Sequence, residues 1–167
     1  KILLLKNIDG VSFQDQAEDS NILEESESKN ILVADYDNDG YNDIFIVNFL
    51  QRSSLYHNNG DNTFVDVTEA AGFNEHSSKA RAGIWFDYDN DGLLDLYLVL
   101  RDADSGVTNI LYHNHGGGQF SDRTQEAGIA GADDLIALVV SALDFNNDGL
   151  QDIYVGGDKN TGNILYK

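Results

Sequence analysis

Apolar residues along the chain come in short runs, and polar loops interrupt each run before a helix of useful length could form. "ILVAD" (31–35) and "DIFIVNF" (43–49) carry the β-branched and aromatic residues of strands. "SLYHN" (54–58), a turn at "NGDN" (59–62) and "TFVDV" (63–67) then read as a hairpin. One helical turn is expected next, with Thr68 as N-cap in this copy and Thr124 in a later one, and with Gly72 or Gly128 where the backbone takes positive φ. "KILLL" at the start is too short for the apolar segment of a signal peptide and reads as a strand.

The pattern repeats. "LYHNNGDNTFVDVTEAAGF" (55–73) returns as "LYHNHGGGQFSDRTQEAGI" (111–129), and a weaker copy, "LLKNIDGVSFQDQAEDSNI" (4–22), puts Asn21 at the position of Gly72. "NILYK" at 163–167 begins another. Four short strands in a unit of roughly 50–60 residues predict propeller blades. The expected fold is therefore all-β, with blades of four antiparallel strands and about three repeats. As one repeat domain over 1–167, the chain divides into the end of a blade at 1–22 (strands at 2–6 and 11–15), blades at 31–73 and 82–129, and an incomplete blade at 137–167. "LEESESKN" (23–30) reads as a polar connector. Propellers commonly close with about four to eight blades, so a piece of a larger ring and a ring completed by further copies are both expected possibilities.

Charge changes this picture from a scaffold to a binding scaffold. The 167 residues hold 29 Asp and Glu against 10 Lys and Arg, a formal charge of −19 that repels nucleic acid and anionic lipid surfaces. Much of it sits in three nonapeptides, "DYDNDGYND" (35–43), "DYDNDGLLD" (87–95) and "DFNNDGLQD" (144–152). Carboxylates this close repel one another unless a cation sits among them. Oxygen donors without Cys or His in the loop favour a hard cation, and flexible carboxylates at this density favour Ca²⁺ over Mg²⁺. Glycine at the sixth position (Gly40, Gly92, Gly149) permits the sharp turn. An EF-hand would need a bidentate Glu at position twelve, where this chain has Ile46, Leu98 or Val155. The ninth residue, Asp43, Asp95 or Asp152, must close the site instead. The chain has no Cys, so thiolate chemistry is excluded, and no apolar run approaches the roughly 18–20 residues of a membrane-spanning helix.

The loop between two strands, followed by "LYxNNGxxxFxDxTxxAG", resembles the FG-GAP or VCBS-type repeats of integrin α-subunit, cartilage-acidic-protein-like and bacterial secreted propellers. That resemblance implies about three Ca²⁺ ions, each held by side chains at positions one, three, five and nine and by a backbone carbonyl at seven. The implied ligands are Asp35, Asp37, Asp39 and Asp43 with the Tyr41 carbonyl; Asp87, Asp89, Asp91 and Asp95 with Leu93; and Asp144, Asn146, Asp148 and Asp152 with Leu150. It also implies an extracellular or cell-surface setting, where Ca²⁺ modules commonly have dissociation constants on the order of 10⁻⁴ to 10⁻³ M.

The remaining chemistry-bearing residues point less sharply. His57 and His113 share one repeat position, read as a surface position on the third strand, against a transition-metal or pH-sensing role. His76 and His115 lie in loops and receive no role. Trp85 reads as packing between blades rather than a carbohydrate platform. "HNHGGGQ" lacks a phosphate-loop pattern, and no nucleophile elbow is present. The expected function is a non-enzymatic, calcium-binding adhesion or ligand-binding scaffold for a protein or glycan. The alternatives are a self-assembling structural subunit and the non-catalytic propeller of a polysaccharide-processing enzyme. Nucleic acid and membrane insertion are not expected. Asn146 leaves the third loop one carboxylate short, so titration calorimetry of per-loop variants should find it the weakest of the three sites. Tightest binding at 144–152 would overturn the carboxylate-count argument.

Overall fold

The computed structural model describes residues 3–23, 26–73, 79–100, 109–131, 136–158 and 161–167. His76 and residues 24 and 25 of the 23–30 connector lie outside the described residues. The short runs form antiparallel meanders: β1 (Leu5–Asn7) and β2 (Phe13–Asp15) pair as a hairpin, and β3 (Ser28–Ala34), β4 (Asp43–Asn48), β5 (Ser54–Asn58) and β6 (Phe64–Asp66) make a four-stranded sheet. A second four-stranded sheet holds β7 (Ala80–Phe86), β8 (Asp95–Leu100), β9 (Ile110–Asn114) and β10 (Phe120–Asp122), followed by the helical turn α1 (Thr124–Ala127). Strands β11 (Ala137–Leu143), β12 (Asp152–Gly157) and β13 (Asn163–Tyr166) form a three-stranded sheet. The all-β class and the four-stranded antiparallel blades expected from the repeat are what the chain adopts. Among the described residues the sheets do not close into a ring.

Three local expectations need correction. Residues 28–30 of the expected 23–30 connector belong to β3 rather than to a loop. Among the described residues, which do not include residue 2, the hairpin strands expected over 2–6 and 11–15 run from Leu5 to Asn7 and from Phe13 to Asp15, because Asn7 pairs with Phe13 and the Asp9 side chain, which accepts the N–H groups of Val11 and Ser12, sets the turn. Neither threonine caps a helix from outside it. Thr124 is the first residue of α1, and its buried hydroxyl accepts the Leu111 N–H at 2.9 Å. The Asp122 carboxylate accepts the Thr124 N–H at 2.8 Å, and Asp66 does the same for Thr68 at 2.9 Å. Thr68 in turn accepts the Leu55 N–H at 2.9 Å. The same carboxylates also accept the protons of the two hydroxyls, which holds each hydroxyl inward and leaves its lone pairs to tie the end of one strand to its neighbour.

The cores lie between the sheets rather than within any one of them. Strand β8 shows why: all six of its residues are buried, and their period of two sends Leu96, Leu98 and Leu100 toward the preceding sheet while Tyr97 and Val99 face the following one. Strand β4 divides likewise, with Phe45 and Val47 in the core shared with the second sheet and Ile46 in one shared with Leu4 and Ile22, which flank the β1–β2 hairpin. The first strands of successive sheets pack on one another, β7 on β3 and β11 on β7. Trp85 on β7 stacks on Tyr36 of the preceding sheet's acidic loop (6.2 Å between centroids, 14° between planes) and meets Phe45 edge-on at 5.9 Å. Its expected packing role is thereby the one observed.

Backbone hydrogen bonds also stitch neighbouring units. The turn after β6 offers the Ala71 carbonyl to the Phe120 N–H of the next sheet at 2.8 Å, and the Ser20 carbonyl receives the Phe64 N–H at 2.9 Å. Asn21, Gly72 and Gly128, aligned in the repeat, all adopt positive φ, at 61°, 97° and 70°. At Gly72 the constraint is doubled, since a Cβ there would lie 2.5 Å from the Phe120 carbonyl oxygen. Gly72→Ala is expected to lower stability by about 1–3 kcal/mol, and Gly128→Ala, which meets nothing within 4 Å, by less. Paired urea denaturation curves would check the order, and equal losses would refute the close-approach argument.

Candidate metal-binding loops

The register of the sheets delivers each acidic loop in the same setting. Ala34 pairs with Asp43, Phe86 with Asp95 and Leu143 with Asp152, so every loop joins the first two strands of its sheet and its ninth residue opens the second strand. The loop then folds around its own carboxylates. Asp35 accepts the N–H groups of Asp39 (3.0 Å) and Gly40 (2.9 Å), Asp87 those of Asp91 (3.1 Å) and Gly92 (2.9 Å), and Asp144 those of Asp148 (3.1 Å) and Gly149 (3.0 Å). The fifth-position aspartates, Asp39, Asp91 and Asp148, each accept the N–H of the seventh residue, Tyr41, Leu93 or Leu150, at 2.8 Å. Glycine at position six makes this possible, with φ of 93°, 88° and 86° that other residues adopt only under strain.

The ninth carboxylate is the buried one. Asp43, Asp95 and Asp152 are 1%, 0% and 4% exposed. Asp43 accepts N–H groups from Tyr36 (3.3 Å) and from Asn58 on the third strand (2.8 Å); Asp95 receives the equivalent pair from Tyr88 (3.1 Å) and Asn114 (2.8 Å). Asp152 accepts the Phe145 N–H at 2.7 Å. These donors do not offset burial fully: desolvation pushes the Asp43 carboxyl up to about 6 and raises Asp95 as well. Asp37 is also raised, first by burial and then by the charge of Asp39.

One carboxylate oxygen from each of Asp35, Asp37 and Asp39 lies within 4.8 Å of the others, and the same holds for Asp87, Asp89 and Asp91. Asp37 and Asp43 come equally close with His57, and Asp89 and Asp95 with His113. In the third loop the Asn146 amide donates to Asp148 at 2.8 Å, and the Leu150 N–H together with that amide holds the Asp148 carboxyl below its usual range. A divalent cation suits the first two loops. Their donors are oxygens gathered around an acidic centre, and Asp37 Oδ1 is buried without a hydrogen-bond partner, the condition a metal ion would relieve.

Two features escaped the sequence reading. His57 is not merely a surface residue of the third strand: its Nδ1 stands 3.2 Å from Asp37 and 3.3 Å from Asp43, and His113 Nδ1 stands 3.1 Å from Asp95. Their shared place in "LYHN" was the available signal. The second is the fourth loop position. Asn38, Asn90 and Asn147 all take left-handed φ, at 60°, 58° and 59°. The Asn38 amide reaches the Gly92 carbonyl of the next loop at 3.3 Å, and Asn90 reaches Gly149 at 3.0 Å. Asn114 adds a bridge of its own, donating to the Tyr36 carbonyl at 2.9 Å. The loops are thus chained from sheet to sheet. Asn90→Ala, losing both the bridge and the residue's tolerance of left-handed geometry, is expected to cost about 1–2 kcal/mol. Asn90→Gly restores the backbone freedom and should cost less in thermal unfolding; a larger loss for Gly would mean that the backbone conformation is not what Asn90 supplies.

No curated protein matches the chain. Residues 35–98 and 87–155 each match the FG-GAP-like repeat. Each match starts on the first aspartate of an acidic loop and ends in the strand that follows the next loop, which is the spacing of the units described above. By that double match across most of its length, the chain belongs to the FG-GAP-like repeat family.

Proposed function

We propose that this chain is a calcium-binding β-propeller-type module that acts outside the cell as a non-catalytic scaffold for a protein or glycan ligand. The observation that carries the reading is the pairing of a fully buried ninth carboxylate with a cluster of oxygen donors in which Asp37 Oδ1 has no partner. Ca²⁺ takes six to eight oxygen ligands and tolerates irregular geometry, which suits side chains delivered by a nine-residue loop. Asp35, Asp37, Asp39 and Asp43 would hold the first ion, Asp87, Asp89, Asp91 and Asp95 the second, and Asp144, Asn146, Asp148 and Asp152 the third. The seventh-position carbonyls of Tyr41, Leu93 and Leu150 belong to the same proposal. The ion supplies positive charge where the folded chain concentrates negative charge, so its main work is on folding. Partly exposed loops of this kind fit the millimolar Ca²⁺ found outside cells. The strongly acidic surface favours a ligand that presents cationic groups.

A second reading, self-assembly, has an observation of its own. Val139 and Leu143 on β11 and Tyr154 on β12 are 60%, 41% and 43% exposed, and Leu5 and Phe13 on the hairpin are 55% and 63% exposed. In the second four-stranded sheet the equivalent positions, Ala82, Phe86 and Tyr97, are buried against the third sheet, whereas Ile31 and Val33 on β3 are as exposed as these. Further repeats or a second copy would cover these faces.

Thermal unfolding and sedimentation in EDTA and in millimolar Ca²⁺ test both readings. With dissociation constants on the order of 10⁻⁴ to 10⁻³ M, each site in millimolar Ca²⁺ adds about 0.4–1.4 kcal/mol, or roughly 1–6 °C in a chain of this size. No rise at all would overturn the calcium reading, and a monomer in both conditions would overturn self-assembly. The pH dependence carries a sign. A carboxyl raised by folding, as Asp43 is, binds its proton more tightly in the folded state, so stability in EDTA should fall as pH climbs from about 4 through 6. With saturating Ca²⁺ the same carboxylates are held ionised, and stability over that window should rise with pH instead. Melting curves at pH 4, 5, 6 and 7 with and without Ca²⁺ would show whether the slope reverses.

A further inference from the structure

We propose that the first two loops each hold a second class of cation, a zinc-type divalent transition metal, through one imidazole and two carboxylates: His57 with Asp37 and Asp43, and His113 with Asp89 and Asp95. The third loop does not. The inference rests on the reading of these loops as cation sites and adds to it which cations the first two select.

In the first loop, His57 Nδ1 faces Asp37 Oδ2 at 3.2 Å and Asp43 Oδ1 at 3.3 Å. In the second, His113 Nδ1 lies 3.1 Å from Asp95 Oδ1 and 3.7 Å from Asp89 Oδ2. With metal–ligand bonds of about 2.0–2.2 Å, the imidazole and each carboxylate at these separations subtend angles of roughly 90–135° at a common ion, a range that brackets the tetrahedral value. A water would complete four-coordination, as in open zinc sites. Imidazole suits zinc, copper and nickel, whereas Ca²⁺ and Mg²⁺ prefer oxygen alone, so the nitrogen donor is what distinguishes this set from the calcium set that shares its carboxylates.

A plain hydrogen-bonding role leaves the first loop unsatisfied. One imidazole nitrogen carries at most one proton, yet His57 Nδ1 faces two carboxylates, is buried, and makes no well-formed hydrogen bond, while Asp37 Oδ1 beside it has no partner either. An ion bound between the three groups would engage the nitrogen and both carboxylates together. The ring is also held in place: Tyr36 meets His57 edge-on at 83° and 6.4 Å, and Tyr88 meets His113 edge-on at 82° and 5.7 Å. The arrangement thus recurs in both four-stranded sheets, which share the DYDND loop and the LYHN strand.

The third unit serves as an internal control. Lys167 occupies the repeat position of His57 and His113, and its ammonium stands 4.7 Å from the centre of the Phe145 ring, where Phe145 replaces the loop tyrosine. A protonated ammonium has no lone pair to give a metal. The third loop also carries Asn146 in place of the third-position aspartate. Both changes remove zinc-type donors while leaving oxygen ligands for a hard cation.

The test uses the whole chain, without a histidine tag and stripped of metal. Zn²⁺ titration by calorimetry should show two sites, and X-ray absorption at the zinc edge should show imidazole scattering from one histidine per ion. The double variant His57→Gln/His113→Gln should lose at least about tenfold in Zn²⁺ affinity and change Ca²⁺ affinity by less than about threefold. An oxygen-only zinc shell, undiminished Zn²⁺ binding in the double variant, or no Zn²⁺ binding by a chain that binds Ca²⁺ overturns the inference. Two-site Zn²⁺ binding by a chain indifferent to Ca²⁺ would instead overturn the calcium reading and leave this one standing. Should the double variant fail to fold, the absorption spectrum of the unaltered chain decides alone.

Discussion

A carboxylate buried at the first residue of the second strand is the constraint around which each unit of this protein is arranged. Asp43, Asp95 and Asp152 sit where the acidic loop becomes sheet, and a charge withdrawn from water there demands compensation. The chain supplies it from two directions. One N–H comes from the loop's second residue in all three copies, and in the two four-stranded sheets another comes from the third strand, through Asn58 or Asn114. The same asparagines use their side-chain amides to hold the backbone just before the aspartate, at Asn42 and Leu94. One buried charge thus fixes the loop, the second strand and the third strand relative to one another. The shortfall that remains, visible in the raised Asp43 carboxyl, is the physical opening for a cation.

The loops are not independent of the packing beneath them. A sheet of four short strands has too little area to bury its own apolar residues, so each core is shared between successive sheets. Tyr36 belongs to an acidic loop and to the core between the first and second four-stranded sheets at once, with Trp85, Phe120 and His57 around it. Asn38 and Asn90 carry the connection along the surface from one loop to the next. Charge compensation at a loop and apolar burial between sheets therefore act on the same residues. An ion held as proposed in one loop would therefore also bear on its neighbour's core.

Much of the fold was legible because its determinants are local. Strand residues in runs of three to seven, turn glycines and the returning "LYHN…FxDxTxxAG" string each act over a few residues, and Asn21 at the place of Gly72 marks left-handed geometry in the sequence itself. The acidic loops were legible for the same reason, since positions one, five, six and seven bond to one another within the nonapeptide. What went unread depended on partners distant in the chain. Thr68 and Thr124 looked like helix caps because the N–H groups that claim their hydroxyls, at Leu55 and Leu111, lie 13 residues upstream. Asn90 reaches 59 residues ahead to Gly149, and nothing in its own loop requires it to.

The sequence by itself determined an all-β repeat with acidic loops between paired strands, because alternation, turn chemistry and charge spacing are properties of neighbours. Only the tertiary structure decided that His57 and His113 turn toward the carboxylates, that the ninth aspartate alone is fully buried, and that the loops are tied in series. Burial and hydrogen-bond reach arise from strand register and from sheets packed on sheets, and those relations bring together residues that the order of the chain leaves far apart.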